Sequence, residues 1–145
     1  MDISAYQVFL FIHIFAAITF IGAVTLAASL FPKYAQPENA NVAGVMHRVT
    51  RQYGLLTVLV PVFGWLTARE VHYTGATWVQ VSLGVFVLLI GVLLIYIIPT
   101  QNALLTRLSA GEIPTNADLA GLRGASGLYG IGWLVTLYFM VAKPF

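Results

Sequence analysis

The chain has 145 residues, of which 59% are hydrophobic and 8% charged, with a formal net charge of +2. Soluble domains carry roughly a quarter charged residues, and a domain of this length cannot hide so much apolar surface from water. Lipid is therefore the expected solvent, with one domain over residues 1–145. Seven basic residues, placed toward segment ends, are too sparse for a nucleic-acid footprint. The lack of cysteine excludes disulfides, thiolate metal sites and iron–sulfur clusters.

Four apolar stretches follow in chain order, at residues 5–31, 49–68, 76–98 and 124–142. About 20 helical residues cross a hydrocarbon core of roughly 30 Å, and a span must be helical because lipid satisfies no open backbone. The first stretch is interrupted only by Gln7, His13 and a few hydroxyl residues, and reads as a true span rather than a cleaved leader. The second is densest from Leu55 to Ala68, where Pro61 and Gly64 predict a kink whose freed carbonyl faces a cavity. The third is the purest, with Pro99 expected to close it, and the fourth ends at Lys143-Pro144. The fold class expected is all-α, an integral membrane antiparallel four-helix bundle.

Loops and charges set the orientation. Pro32, Pro37 and Asn39 mark one long loop, Gly111, Pro114 and Asn116 the other, and the link from Arg69 to Gly75 is tight. The long loops and their flanks carry Lys33, Arg48, Arg51, Arg107 and Arg123, against Arg69 and Lys143 at the opposite end. The excess predicts a plasma-membrane protein with cytoplasmic long loops and both termini outside. Small residues suggest close helix approach: Thr19, Ala23 and Ala27 on the first helix, Gly84 and Gly91 on the third, Ser126 and Gly130 on the fourth. Intramolecular packing or a homo-oligomer would both use them.

His13 carries the chemical interest. An ionisable side chain inside a span is costly and normally faces the interior with a partner. Three roles fit it: axial haem ligand, proton relay or interhelical hydrogen bond. Gln80, Ser82, Tyr138 and Met140 share its expected depth, so His13, Gln80, Tyr138 and Met140 form a cluster if their faces converge. His13 and Met140 would make an acceptable axial pair, and Arg69 and Lys143 would rim the site where haem propionates could pair with them. His47 and His72 fall near opposite ends of the second helix, which disfavours a bis-histidine haem. Trp133 sits mid-span, where its indole N–H needs an acceptor. The acids, Asp2, Glu38, Glu70, Glu112 and Asp118, all lie outside the spans, which argues against a carboxylate-driven transporter. Three methionines and no cysteine make a weak copper(I) signal.

Several motifs converge on one group: "FIHIFAAITFIGA" with "LFPKYA", then "MHRVTRQYGLLTVLVPVFG", Trp78 opening the third span, and the terminal "MVAKPF". Over nearly its whole length the chain resembles the four-helix bacterial membrane proteins grouped around the copper-resistance D domain and HemJ-type protoporphyrinogen oxidase. The likeness is greatest to their uncharacterised relatives. The resemblance implies haem b bound through His13, with Arg51 and Arg123 as the basic residues opening helices two and four, and Lys143 as the terminal lysine. HemJ-type proteins carry a lysine early in the third span and histidines near its end. Here those places read Gln80 and Ser82, then Pro99, Thr100, Gln101 and Asn102, which weighs against the oxidase activity. Two functions remain open: a small haem-binding redox protein, porphyrin- or quinone-linked, and a non-catalytic subunit or scaffold of a larger membrane complex.

Overall fold

The computed structural model describes residues 3–145, so Asp2 lies outside the described residues. The chain is all-α. Helix α1 spans Ala5–Tyr34, α4 spans Thr77–Ser109 and α5 spans Asn116–Ala142, each long and apolar enough to cross a membrane. Between them lie α2, Ala40–Leu56, and α3, Leu59–Glu70, which are two segments of one rod. Their 17 and 12 residues fall short, taken singly, of the roughly 20 a crossing needs. The stretch expected as one span at 49–68 is thus divided at Thr57–Val58. Pro61 explains where the division falls: it has no N–H to offer the carbonyl of Thr57, and its ring crowds that carbonyl. Thr57 and Val58 keep right-handed helical dihedrals, so the rod bends without ending.

Pro99 does not close its helix. A π-helical stretch, Val92–Ile97, precedes it, and α-helix resumes from Ile98 with the proline in its first turn. A proline in a first turn costs little, because the N–H it lacks would have no α-helical acceptor there. Pro32 likewise lies inside α1, which also holds a π stretch at Ala17–Ile21. The fourth helix begins before its apolar run. Thr115 and Asp118 form a reciprocal capping box that starts α5 at Asn116. Arg107 closes the α4–α5 loop by ion pairs to Glu112 at 2.8 Å and Asp118 at 3.0 Å. These groups lie beyond the apolar parts of both helices, and the Arg107 guanidinium with the Thr115 hydrogen bonds holds the Asp118 carboxyl well below the usual carboxylate range.

The rods pack as two hairpins. Along α1, Gly22–Tyr34 lies on α2 and Ala5–Ala16 lies on α3, while α4 pairs with α5. At the end holding the long loops, the hairpins also join: α1 meets α5 and α2 meets Ile98–Ser109. Val24, Ala28, Phe31, Leu93, Ile97, Leu104, Leu122 and Tyr129 form the core there. Toward the end holding both termini the hairpins part, and α3 scarcely touches Thr77–Gly91. The tight Arg69–Gly75 link therefore joins rods that pack best at the far end from it. An apolar cleft of about 340 Å³ opens between them, lined by Pro61, Val62, Trp65, Leu66 and Leu83.

Small residues serve unequally. Ser126 donates to the Ala28 carbonyl at 3.1 Å, and a Cβ on Gly130 would lie 3.5 Å from Thr25, so this pair brings α5 close to α1. Gly84 and Gly91 have open space around them and mark no helix crossing.

Candidate functional site

His13 is a half-buried residue on the face of α1 that meets α3. Its Nδ1 lies 2.7 Å from the carbonyl oxygen of Val60, the residue bonded to Pro61. A carbonyl only accepts, so Nδ1 carries the proton and donates. The neutral ring then keeps its lone pair on Nε2, which makes no hydrogen bond to any described residue and is not sealed from the surface. Gly64 makes room for the ring: a Cβ there would stand 2.8 Å from Cε1 and 2.9 Å from Nδ1. Phe9 and Phe63, with ring centroids 6.3 Å apart, pack across the same α1–α3 seam. An imidazole tied at Nδ1 to a backbone carbonyl, with Nε2 open, is the arrangement in which histidine ligates a metal, because the tie fixes the tautomer and raises basicity.

The other site candidates are placed elsewhere. The Gln80 side chain donates to the Thr74 carbonyl at 2.6 Å, pinning the α3–α4 link. Tyr138 is 60% exposed on α5, and Met140 is half-buried on the same helix, whose neighbour over that half is α4 rather than α1. Arg69 is exposed at the end of α3. The Lys143 ammonium stands 5.5 Å from the Tyr73 ring centre and 5.3 Å from that of Trp78, a cation–π cradle between the α3–α4 link and the end of α5. The chain thus brings His13 to Val60 and Gly64, while Gln80, Tyr138, Met140 and Lys143 belong to the other hairpin or to the link. Among the described residues no group of three His, Asp or Glu side chains could hold a metal ion.

Two polar features add to the sequence reading. At the loop end, His47 Nδ1 lies 3.0 Å from Gln101 Oε1, the fully buried Gln101 donates to Thr50 Oγ1 at 3.4 Å, and Thr50 donates to the Met46 carbonyl at 2.8 Å. This network ties α2 to α4. The second is the pair Tyr129 and Trp133, whose hydroxyl and indole nitrogen are both buried without a hydrogen-bond partner among the described residues. Their rings meet edge-on at 5.8 Å, and Trp133 also meets Phe86 at 5.4 Å, at the level where the hairpins begin to part. The indole was expected to find an acceptor, and it finds none within the described chain.

No family model, no curated protein and no solved structure matches this chain.

Proposed function

We propose that the protein is a small membrane haem-binding redox protein in which His13 supplies one axial nitrogen. The observation that carries this reading is the His13–Val60 bond, which commits Nδ1 and leaves Nε2 free inside an apolar segment. A haem held there would supply one-electron chemistry. The chain's own part is to bind and orient: the Val60 carbonyl sets the ring's tautomer, Gly64 admits the ring, and Phe9 and Phe63 exclude water from the seam. Met140, the expected second axial ligand, lies on the other hairpin. The resemblance to the HemJ-type group supports the choice of haem b, and a porphyrin or quinone as the redox partner.

The proposal includes the bilayer placement. All four rods cross, the second as the bent α2–α3 pair, and the long-loop end is cytoplasmic in a bacterial plasma membrane. The five-to-two division of Lys and Arg supports this. A reporter fused after Phe145 that is active only in the cytoplasm would overturn the orientation.

The test of the haem reading is optical. Detergent-purified protein should show a Soret band that His13→Ala abolishes or shifts while the helical circular dichroism persists. A wild type that stays colourless after haem supplementation overturns it. The same 2.7 Å bond supports a second reading, in which His13 simply straps α1 to α3 in a scaffold or accessory subunit. A colourless wild type that His13→Ala nevertheless destabilises would favour that reading.

A further inference from the structure

The five basic residues at the loop end are not in equivalent settings. Arg107 is committed to Glu112 and Asp118. The Lys33 ammonium stands 5.5 Å from the centre of the Tyr34 ring. Arg48 and Arg51 are exposed and make neither an ion pair nor a hydrogen bond with any described residue. Together with Gly44, His47, Gln52 and Leu55 they line a groove of about 530 Å³ along one face of α2. The spacing of three and four residues explains why one face carries them all. Among the described residues no carboxylate lines the groove, so its two guanidinium groups meet no anion from them there.

Three details shape this groove. Apart from its own helix backbone and chain neighbours, no atom of the described residues lies within 4 Å of where a Gly44 Cβ would stand, so the upper end is open. The His47 ring is anchored from behind by Gln101, itself fully buried and held by Thr50. Polarity also falls along the helix. Leu55 is 58% exposed and lies about 10 Å deeper along the axis than Arg48, at 1.5 Å per residue. Leu56, Val58 and Leu59 continue the exposed apolar surface. An occupant matching this gradient has an anionic head at Arg48 and Arg51 and a hydrocarbon body running along Leu55. Guanidinium forks favour phosphate oxygens for their planar paired donors.

We propose that this groove seats the phosphate of an anionic membrane lipid, with its acyl chain against Leu55. The inference rests on the membrane placement and not on the role of His13. The occupant is a lipid and not a free phosphate, because a free phosphate has no use for the apolar lower end.

Native mass spectrometry of the intact protein, titrated with phosphatidylglycerol or phosphatidylcholine, provides the test. Retention should favour phosphatidylglycerol. The double variant Arg48→Gln/Arg51→Gln should lower its apparent affinity roughly 30-fold, on the scale of about fivefold per surface arginine. Arg123→Gln removes one charge from the same end but lies outside the groove, and should change affinity less than twofold. The changed arginines are exposed, and circular dichroism of each variant verifies the fold. If Arg123→Gln weakens binding as much per charge as the groove variant, attraction is only to net charge and the proposal fails. It fails equally if phosphatidylcholine is retained as well, or if millimolar inorganic phosphate displaces the lipid completely.

Discussion

The loop end and the terminal end of this molecule are held together by different means. At the loop end four rods converge on side chains with no solvent access, among them Phe31, Leu93, Ile97 and Leu122. Polar bridges cross between the rods there, from His47 to Gln101 and from Ser126 to Ala28. At the terminal end the first half of α1 buries only Ala16, while Phe11 is 70% and Ile18 is 72% exposed. The chief polar tie between rods in that half is His13 to Val60. One end is a packed core, and the other is two hairpins with apolar flanks turned outward. In lipid the second arrangement would be viable, because apolar side chains facing acyl chains carry no penalty for being unpacked. On the proposed haem reading, His13 lies at the end whose surfaces are not already filled.

Core truncations test this contrast most severely. Phe31→Ala should destabilise the fold by about 3–5 kcal/mol and Leu93→Ala by about 2–5 kcal/mol, from lost burial plus the cavity left behind. Phe11→Ala and Ile18→Ala should each cost below about 0.5 kcal/mol, in the range of surface changes. Unfolding in mixed micelles with a graded denaturing detergent measures both sets, and equal costs would erase the distinction between the ends. A second, smaller effect sharpens it. Gly64→Ala would push its Cβ into the His13 ring, so the ring must swing off Val60. The loss should be about 1–2 kcal/mol for the hydrogen bond, accompanied by loss of any Soret band. Gly84→Ala, with open space around the added Cβ, should be neutral or slightly stabilising through helix propensity.

Hydrogen exchange reads the same contrast without mutation. Amides of 93–108 and 119–129 should exchange more slowly than those of 60–70, because local opening there does not require the core to separate. The smallest effect concerns the α4–α5 loop. The folded-state pKa of Asp118 is depressed by Arg107 and Thr115. Its contribution to stability is therefore complete above the unfolded value, about 4, and is lost as pH falls through the lower folded value. Arg107→Ala should flatten that part of the acid-unfolding profile while leaving stability at pH 7 nearly unchanged, since the pair is partly open to solvent.

Much of this was legible in the residues, and the rest was hidden for physical reasons. Apolar runs located α1, α4 and α5 because lipid demands them, but hydropathy follows the bilayer and not helicity. That is why α4 runs eleven residues past Ile98 and α5 starts eight before Gly124. Pro61 announced the bend in the second rod, whereas Pro99 misled, because a π stretch ahead of it is invisible in composition. His13 stood out by its cost in a span. Its acceptor did not, since a backbone carbonyl has no sequence signature, and Val60 is 47 residues away. In the sequence, Gln101 marks only a place where HemJ-type proteins have histidines. Its pairing with His47 spans 54 residues, and periodicity cannot see it.

Three of the four rods are irregular at one level. The π stretches Ala17–Ile21 and Val92–Ile97 and the Thr57–Val58 bend are brought together there, with Phe20 against Tyr53 at 5.9 Å and a Gly54 Cβ 3.0 Å from Leu93. A π turn holds one residue more than the α turn it replaces. Deleting a single residue from 17–21 would restore ordinary winding and leave the residues before it near their present azimuth, because the π turn takes up its extra residue within one turn. His13 would then still face Val60, and the loop end would keep its register. The layer is a slack joint between the two halves: it can give back one residue of α1 without re-aiming the outer face, whereas a single-residue deletion within the regular winding of Gly22–Tyr34 would turn that face by about 100°.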